Sequence, residues 1–338
     1  ELWQELAEKK ETTFLVYMQE QADLSSPAMT QAVNKLARRQ AVVDTLRATA
    51  SRSQQDIRAY LDKQQAAGHV SAITSFWVVN ALAVTGDAET ARALAARPDV
   101  ARITVNHLRP LEKPEQVEAP GLAMWNIERV RAPRVWQELG ITGRGAVVAN
   151  MDTGVAWTHP ALRAHYRGLT PNGVDHNYNW FDATGTSTGA PMDDDGHGSH
   201  TMGIMVGDDG GANQIGVAPG AKWMAVRIFT PQGTTDAWIH AGFQWLLAPT
   251  DLNGNNPDPS KAPDIVNNSW GSGNIADPTF WYDLLAWRAA GIFSSWSAGN
   301  RGADGPGSTG VPGGYPHAFS VGATDPNDIL AAFSSLGP

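Results

Sequence analysis

Five short apolar runs punctuate the second two-thirds of the chain: GAVVANM (145–151), AKWMAVRI (221–228), PDIVNN (263–268), GIFSSWS (291–297) and HAFSVGA (317–323). Their apolar residues are continuous rather than alternating, as expected of parallel strands covered on both faces. Stretches of helical character lie between them, at 198–206, 234–247 and 278–290. The alternation predicts an open α/β sheet with helices on both faces, whose ligands bind beyond the carboxyl ends of the strands. Nearly every polar group of interest falls at such an end.

Residues 1–110 have another texture, rich in Ala, Gln and Arg and poor in Gly. TTFLVYM (12–18) reads as a strand. Ser26-Pro27 offers an N-cap followed by proline at the first helical position. A long helical stretch, with room for one break, then runs to about Ala67 and stops at Gly68. ITSFWVV (73–79) and ALAVTG (81–86) follow as two strands or a bent pair, then a helix over 87–99 and a last strand over 101–108. This β-α-β-β-α-β order predicts a small split-βαβ, ferredoxin-like α+β unit. The join, PLEKPEQVEAPG (110–121), carries three prolines and three glutamates with few apolar residues, and reads as an exposed linker.

The net charge is −9, from 25 basic and 34 acidic residues, which argues against nucleic acid or an anionic membrane as a partner. No apolar run is long enough to cross a bilayer. The absence of cysteine removes thiol nucleophiles, thiolate metal ligands and disulfides.

MDDDGHGSHTMG (192–203) sets carboxylates beside His197 and His200, which suits either a metal site or half of a proton-transfer device. A metal reading would use Asp195, His197 and His200, but no further His-rich motif completes a ligand set. Asp152 follows GAVVANM and precedes Thr153-Gly154, where a strand tip can hold a carboxylate rigidly or merely cap the next turn. Asp-Thr-Gly also occurs in aspartic peptidases, but that chemistry needs a second such triplet, and none is present. His197 stands between two glycines before a helical stretch, whose N-terminus disfavours imidazolium and so favours a neutral, proton-accepting ring. SAGN (297–300) ends a strand with Asn300, whose amide can donate to an oxygen gaining negative charge, or simply make a turn. Ser269-Trp270-Gly271 ends another strand and offers backbone for pairing with an extended peptide, with TPQGTTD (230–236) as the facing edge.

Taken together, these motifs resemble the subtilase family of serine endopeptidases, whose triad runs Asp, His, Ser. The matching text is VVANMDTGV, DGHGSHTMGIM, GVAPGAKWMAVRI, DIVNNSWG, SAGN, YPHAFSVGATD and FSSLGP, within 120–338. MDTGVAWTHPAL, GAKWMAV and APDIVNNSWG look closest to the bacillopeptidase F group. The resemblance implies a subtilisin-like catalytic region over 121–338, a propeptide-like inhibitory unit over 1–110, and a linker with the processing region over 111–120. It implies that Asp152 orients His197, that His197 is general base and then acid, and that Asn300 lines the oxyanion hole. Gly233, Thr234 and Thr235, with Ser269, Trp270 and Gly271, would flank the substrate backbone. His200 matches a structural histidine, and Asp193 and Asp194 are left as a solvated loop.

The family's serine, in Gly-Thr-Ser-Met-Ala, would fall beyond 338. Ser294, Ser295, Ser297 and Ser308 lack that context, so the chain alone is expected to be inactive. The resemblance further implies a secreted protein, polypeptide substrates, its own propeptide as a partner in cis, and a following segment completing the catalytic region. No cofactor is expected for catalysis. Structural calcium is implied but not placed: DLNGNNPD (251–258) lacks the EF-hand glutamate and reads as a polar loop. The competing reading is a catalytically inactive peptide-binding or regulatory protein of the same fold.

Overall fold

The computed structural model describes residues 1–113, 125–187, 189–211 and 214–337; most of the 111–120 linker lies outside them. Near the N-terminus, β1 (Thr12–Met18), β2 (Val70–Phe76), β3 (Ala81–Gly86) and β4 (Val100–Val105) form an antiparallel sheet in the order β2-β3-β1-β4. Helices α1 (Leu2–Glu8), α2 (Pro27–Thr30), α3 (Lys35–Ser53), α4 (Gln55–Ala67) and α5 (Ala88–Ala95) accompany it. Strand side chains alternate between faces. Phe14, Val16 and Met18 of β1 therefore pack with Leu6, Ile57, Leu61 and Leu94 of α1, α4 and α5. Leu15 and Tyr17 face the other way.

The expected helical stretch up to residue 67 is three helices rather than one or two. Asn34 caps α3, its side chain accepting from Ala37 N at 2.9 Å. Gln54 separates α3 from α4 because its amide turns inward, donating to the Phe76 carbonyl at 3.2 Å and Asn80 Oδ1 at 2.9 Å. Gly68 ends α4 as expected, at φ +83°. The strand expected over 73–79 starts earlier and ends at Phe76, because 77–80 form the turn into β3.

The remaining strands are β5 (Leu108–Arg109), β6 (Val147–Asp152), a hairpin of β7 (Leu169–Thr170) and β8 (Gly173–Val174), β9 (Trp180–Asp182), β10 (Lys222–Arg227), β11 (Thr234–Thr235), β12 (Ile265–Asn268), β13 (Phe293–Ser297) and β14 (Phe319–Val321). Six of them make a wholly parallel sheet in the order β14-β13-β12-β6-β10-β9. Its helices are α6 (Trp125–Arg129), α7 (Ala132–Leu139), α8 (Pro160–Arg163), α9 (His197–Val206), α10 (Asp236–Leu247) and α11 (Trp281–Ala290). Val148, Trp223 and Ala225 pack under Met202 and Val206 of α9. Ala149, Met151, Met224 and Val226 pack under Ile239, Phe243, Leu284 and Trp287 of α10 and α11. Both faces are thus covered, which is why these strands are continuously apolar.

That second core continues into the spare face of the N-terminal sheet, through Leu15, Tyr17, Phe76, Ala81 and Ala83. A buried polar link crosses it: Tyr17 Oη lies 3.0 Å from His240 Nε2, and His240 Nδ1 lies 2.9 Å from Asp283 Oδ2. Further out, Trp77 N donates to Gln244 Oε1 at 2.6 Å, and Arg39 donates to the carbonyls of Ala262 and Pro263.

Candidate active site

Asp152 is the last residue of β6, at the carboxyl edge of the parallel sheet, and is fully buried. Its Oδ1 accepts from Thr153 N at 2.7 Å and lies 2.7 Å from His197 Nδ1. Its Oδ2 is buried without a hydrogen-bond partner. A desolvated carboxylate so placed fixes the ring orientation and favours a proton on Nδ1, leaving Nε2 as the basic atom. Close approach of the two loops depends on Gly198, where a Cβ would stand 2.1 Å from the Gly154 carbonyl oxygen. His197 opens α9, yet its basicity is raised, contrary to the expectation from a helix N-terminus. Burial pulls it down, but the hydrogen bond and charge of Asp152, with Asp195 adding, outweigh burial.

Asp193 and Asp194 are not a free solvated loop. Asp193 Oδ1 accepts from Thr153 Oγ1 at 2.9 Å and Gly196 N at 2.9 Å, while Oδ2 accepts from Ser199 N at 2.8 Å and Ser199 Oγ at 2.6 Å. Burial would raise this carboxyl, but those bonds hold it below its ordinary range. Asp194, though exposed at its rim, grips the buried Arg227 of β10 in a two-toothed pair at 2.9 and 3.0 Å. The two carboxylates tie the start of α9 to β6 and β10, and so hold His197 against Asp152. A run of three aspartates carries no sign of this, because the partners come from three other segments.

Asn300 follows β13 and the Ala298-Gly299 turn. Its Nδ2 donates to the backbone carbonyl of Glu112 at 3.0 Å. The next residue, Lys113, sets Nζ 2.6 Å from Asp195 Oδ2, two residues before His197. Consecutive Cα atoms lie about 3.8 Å apart. The Glu112-Lys113 stretch therefore bridges the Asn300 turn and the His197 loop as two sides of one cleft. Upstream, β5 pairs antiparallel with β11, Thr234 opposite Arg109 and Thr235 opposite Leu108. Gly233 admits this strand, since a Cβ there would lie 2.5 Å from the Arg109 carbonyl oxygen. Ser269, Trp270 and Gly271 line the hollow that holds Glu112, with Ala298, Gly299 and Arg301. The Trp270 ring itself is core, packed against Phe280 and Trp296.

The structure thus brings Asp152 and His197 into direct contact, and lays Asn300, 233–235 and 269–271 along one chain segment. His200 stands apart, exposed on a hollow shared with Trp125, His159 and Ile204. Among the described residues no group of three or more His, Cys, Asp or Glu side chains is arranged to hold a metal ion. In the 251–258 loop the Asp251 carboxylate is engaged by its own loop, accepting from Asn253 N, Asn255 N and Asn256 Nδ2.

An α/β sheet thus carries an Asp–His pair at its carboxyl edge and, on the turn after β13, a carboxamide that donates to the backbone of the 109–113 segment. Residues 143–338 match the Subtilase family of peptidases, and the chain belongs to that family. It is 42% identical to bacillopeptidase F of Bacillus subtilis over 98% of the chain, covering 25% of that protein. It is 28% identical to subtilisin E of Bacillus subtilis over 78% of the chain and 60% of that protein, and 32% identical to subtilisin Savinase of Lederbergia lenta over 63% of the chain and 68% of that protein. The chain therefore spans a quarter of the first of these relatives and about 60% of the second. The crystal structure of the epidermin leader peptide processing serine protease of Staphylococcus aureus superposes with a TM-score of 0.62 at 18% identity, over 97% of this chain and 72% of that one. No helix among the described residues is long and apolar enough to cross a membrane.

Proposed function

We propose that this chain is the precursor part of a secreted serine endopeptidase, caught with its own N-terminal segment in the substrate cleft. A serine from sequence following residue 338 supplies the nucleophile. His197 Nε2 takes the seryl proton as Oγ attacks the scissile carbonyl, then returns it to the leaving amine. Asp152 holds the ring and stabilises the imidazolium formed in between. Asn300 Nδ2 donates to the carbonyl oxygen as it becomes an oxyanion.

The observation that carries this reading is the Asn300 contact with Glu112: a carboxamide donor already rests on a backbone carbonyl beside the Asp–His pair. It supports Glu112–Lys113 as the bond presented for cutting, residues 1–112 as the inhibitory unit, and the 111–120 linker as the processing region. Expression of the full-length precursor tests it. The expected result is a new N-terminus at Lys113 and covalent labelling by a fluorophosphonate, both abolished by His197→Ala. A full-length protein that neither processes nor labels overturns the peptidase reading and leaves a peptide-binding protein of the same fold.

A further inference from the structure

Asn150 is a polar residue within the apolar run VVANM. It stands two residues before Asp152 on β6 and is fully buried, its backbone lying between Ala225 of β10 and Asn267 of β12. Side chains alternate along a strand, so Val148, Asn150 and Asp152 share the face that α9 covers. Asn150 Nδ2 donates to the Gly198 carbonyl at 2.9 Å and to Thr201 Oγ1 at 3.2 Å, and Thr201 Oγ1 donates to the same carbonyl at 3.0 Å. The amide thus grips the first turn of α9, one residue after His197. Asp152 and His197 form the next rung, about 6.6 Å further along the strand.

Asn150 Oδ1 is buried and, among the described residues, has no hydrogen-bond partner. An unpaired buried amide oxygen works against folding, and an apolar side chain of the same shape would avoid that penalty. Such breaks of a local rule are expected at functional sites. What α9 lacks without Asn150 is a directional hold from within the sheet. Met202 and Val206 pack on Val148, Trp223 and Ala225, but apolar contact has no preferred direction. Gly198 and Gly203 bring no side chain into the seam, and the Gly196 N-cap makes no side-chain hydrogen bond. Asp193 ties the first turn of α9 to Thr153, beyond the tip of the strand. Asn150 ties it to the strand's interior.

We propose that Asn150 is a positioning residue for the reaction: its amide fixes where α9 sits on β6, and so keeps the His197 ring on Asp152, at a cost to folding. This rests on the acid–base role proposed above for His197. The test is Asn150→Leu in the full-length protease, processed in trans by wild-type enzyme. Leucine has the shape of asparagine and neither of its polar atoms. On an internally quenched peptide, kcat is expected to fall by about tenfold to a hundredfold, as for a reacting group displaced by about 1 Å. KM should hold, because 233–235 and 269–271 lie on other segments. The charged groups facing His197 are Asp152 of β6, Asp195 of its own loop and Lys113 of the docked segment. Asp195 travels with the ring and Lys113 pairs with Asp195, so the Asp152 contact alone depends on the seat of α9. Burial lowers the His197 pKa and that contact raises it, so the acid limb of kcat/KM should move to lower pH in the variant. The urea midpoint of an unprocessed His197→Ala precursor should hold or rise when Asn150→Leu is added.

A kcat equal to that of wild type overturns the proposal and leaves the peptidase reading standing. So does a kcat that falls together with the urea midpoint while the acid limb stays in place, since that is loss of folding alone. Asn150→Ala removes the amide without adding bulk and repeats the test if leucine does not fit. Failure of both variants to fold assigns Asn150 to stability and overturns the proposal. If the wild-type protein shows no turnover, the peptidase reading falls, and an NMR titration of the imidazoles decides the positioning by itself, with His197 identified by its loss in His197→Ala. A lower His197 midpoint in Asn150→Leu than in wild type supports the positioning; equal midpoints overturn it.

Discussion

The antiparallel sheet of the N-terminal unit and the parallel sheet behind the Asp–His pair are both apolar on two faces, but they bury those faces differently. The parallel sheet is covered by its own helices, α9 on one side and α10 and α11 on the other. The N-terminal sheet covers one face with α1, α4 and α5, and its other face shares a core with α2 and α3 of its own unit and with α10 and α11. Alone, the N-terminal unit would lose the cover that α10 and α11 supply to Leu15, Tyr17, Phe76 and Ala83, while the parallel sheet would keep both of its layers. The Asp–His pair sits on the sheet that its own helices cover, and the dependence on docking lies with the other. Changes at the edge of β6 should therefore alter turnover without loosening the docked unit, and changes under β1 should do the reverse.

The strongest way to break that separation is Asp152→Asn, processed in trans by wild-type enzyme. The amide cannot hold the imidazole with its proton on Nδ1, and kcat should fall by about 10⁴-fold. The wild-type acid limb is a second readout. Since the Asp152 contact raises the His197 pKa, the base form appears only above the ordinary imidazole value of 6.5, and kcat/KM should rise with pH through a midpoint higher than that. In Asp152→Asn the residual activity should titrate at lower pH, because the raising carboxylate is gone. Docking of the N-terminal unit should be unchanged in the same variant; an equal loss of docking would show that the two regions are not separable.

The converse change is Tyr17→Phe, made in an unprocessed His197→Ala precursor and followed by urea unfolding. With Nδ1 donating to Asp283, His240 Nε2 accepts the Tyr17 hydroxyl proton, and every partner is buried. Removing that hydroxyl leaves a desolvated acceptor unpaired, at a cost of about 1–3 kcal/mol. The loss should appear in the step that releases the N-terminal unit. In the background competent for cutting, peptide kcat/KM of the processed enzyme should not move, since residues 1–112 have left. A release step that shifts by less than experimental error would remove the polar link from the docking account.

Some of this was legible in the sequence, and the reasons are local. A strand such as 147–152 declares itself by an uninterrupted apolar run, and its end by Asp-Thr-Gly. The His197 loop does so by glycines that permit close backbone approach. Trp180–Asp182 gave no signal, being three residues long and held at the sheet edge by pairing with β10. The roles of Asp193 and Asp194 are hidden in the sequence, because acidic runs are usually solvated and their partners Thr153, Ser199 and Arg227 become neighbours only once β6, β10 and α9 are assembled. The pairs of Arg109 with Asp236 and Asp277 are equally hidden, the two carboxylates lying 127 and 168 residues downstream. Long-range charge pairing leaves no periodicity to read.

The smallest effect should come from pH, and its sign discriminates between the two contact zones. His107 joins the docked tail to Asp236, and its pKa is raised, first by the hydrogen bond it donates to Asp236, with burial opposing and Glu1 adding. A raised pKa means that the docked state binds the proton more tightly. The stabilisation is complete below the ordinary value of 6.5 and is lost as pH rises through the raised one. Asp236 works in the other direction: burial would raise its pKa, but His107 and Arg109 hold it low. Its contribution is present above the ordinary 3.8 and is lost in acid. Arg109 stays charged throughout, so the alkaline loss is partial. With a half-exposed histidine it should amount to about 0.2–1 kcal/mol. In the His197→Ala precursor, the urea midpoint for release of the N-terminal unit should therefore drift down between pH 6 and 8.5, and His107→Gln should flatten that drift. His69, paired with Asp87 within the N-terminal unit, is the internal control: its titration changes that unit's own folding and survives in His107→Gln. A drift that persists undiminished in His107→Gln would remove His107 from the account of docking.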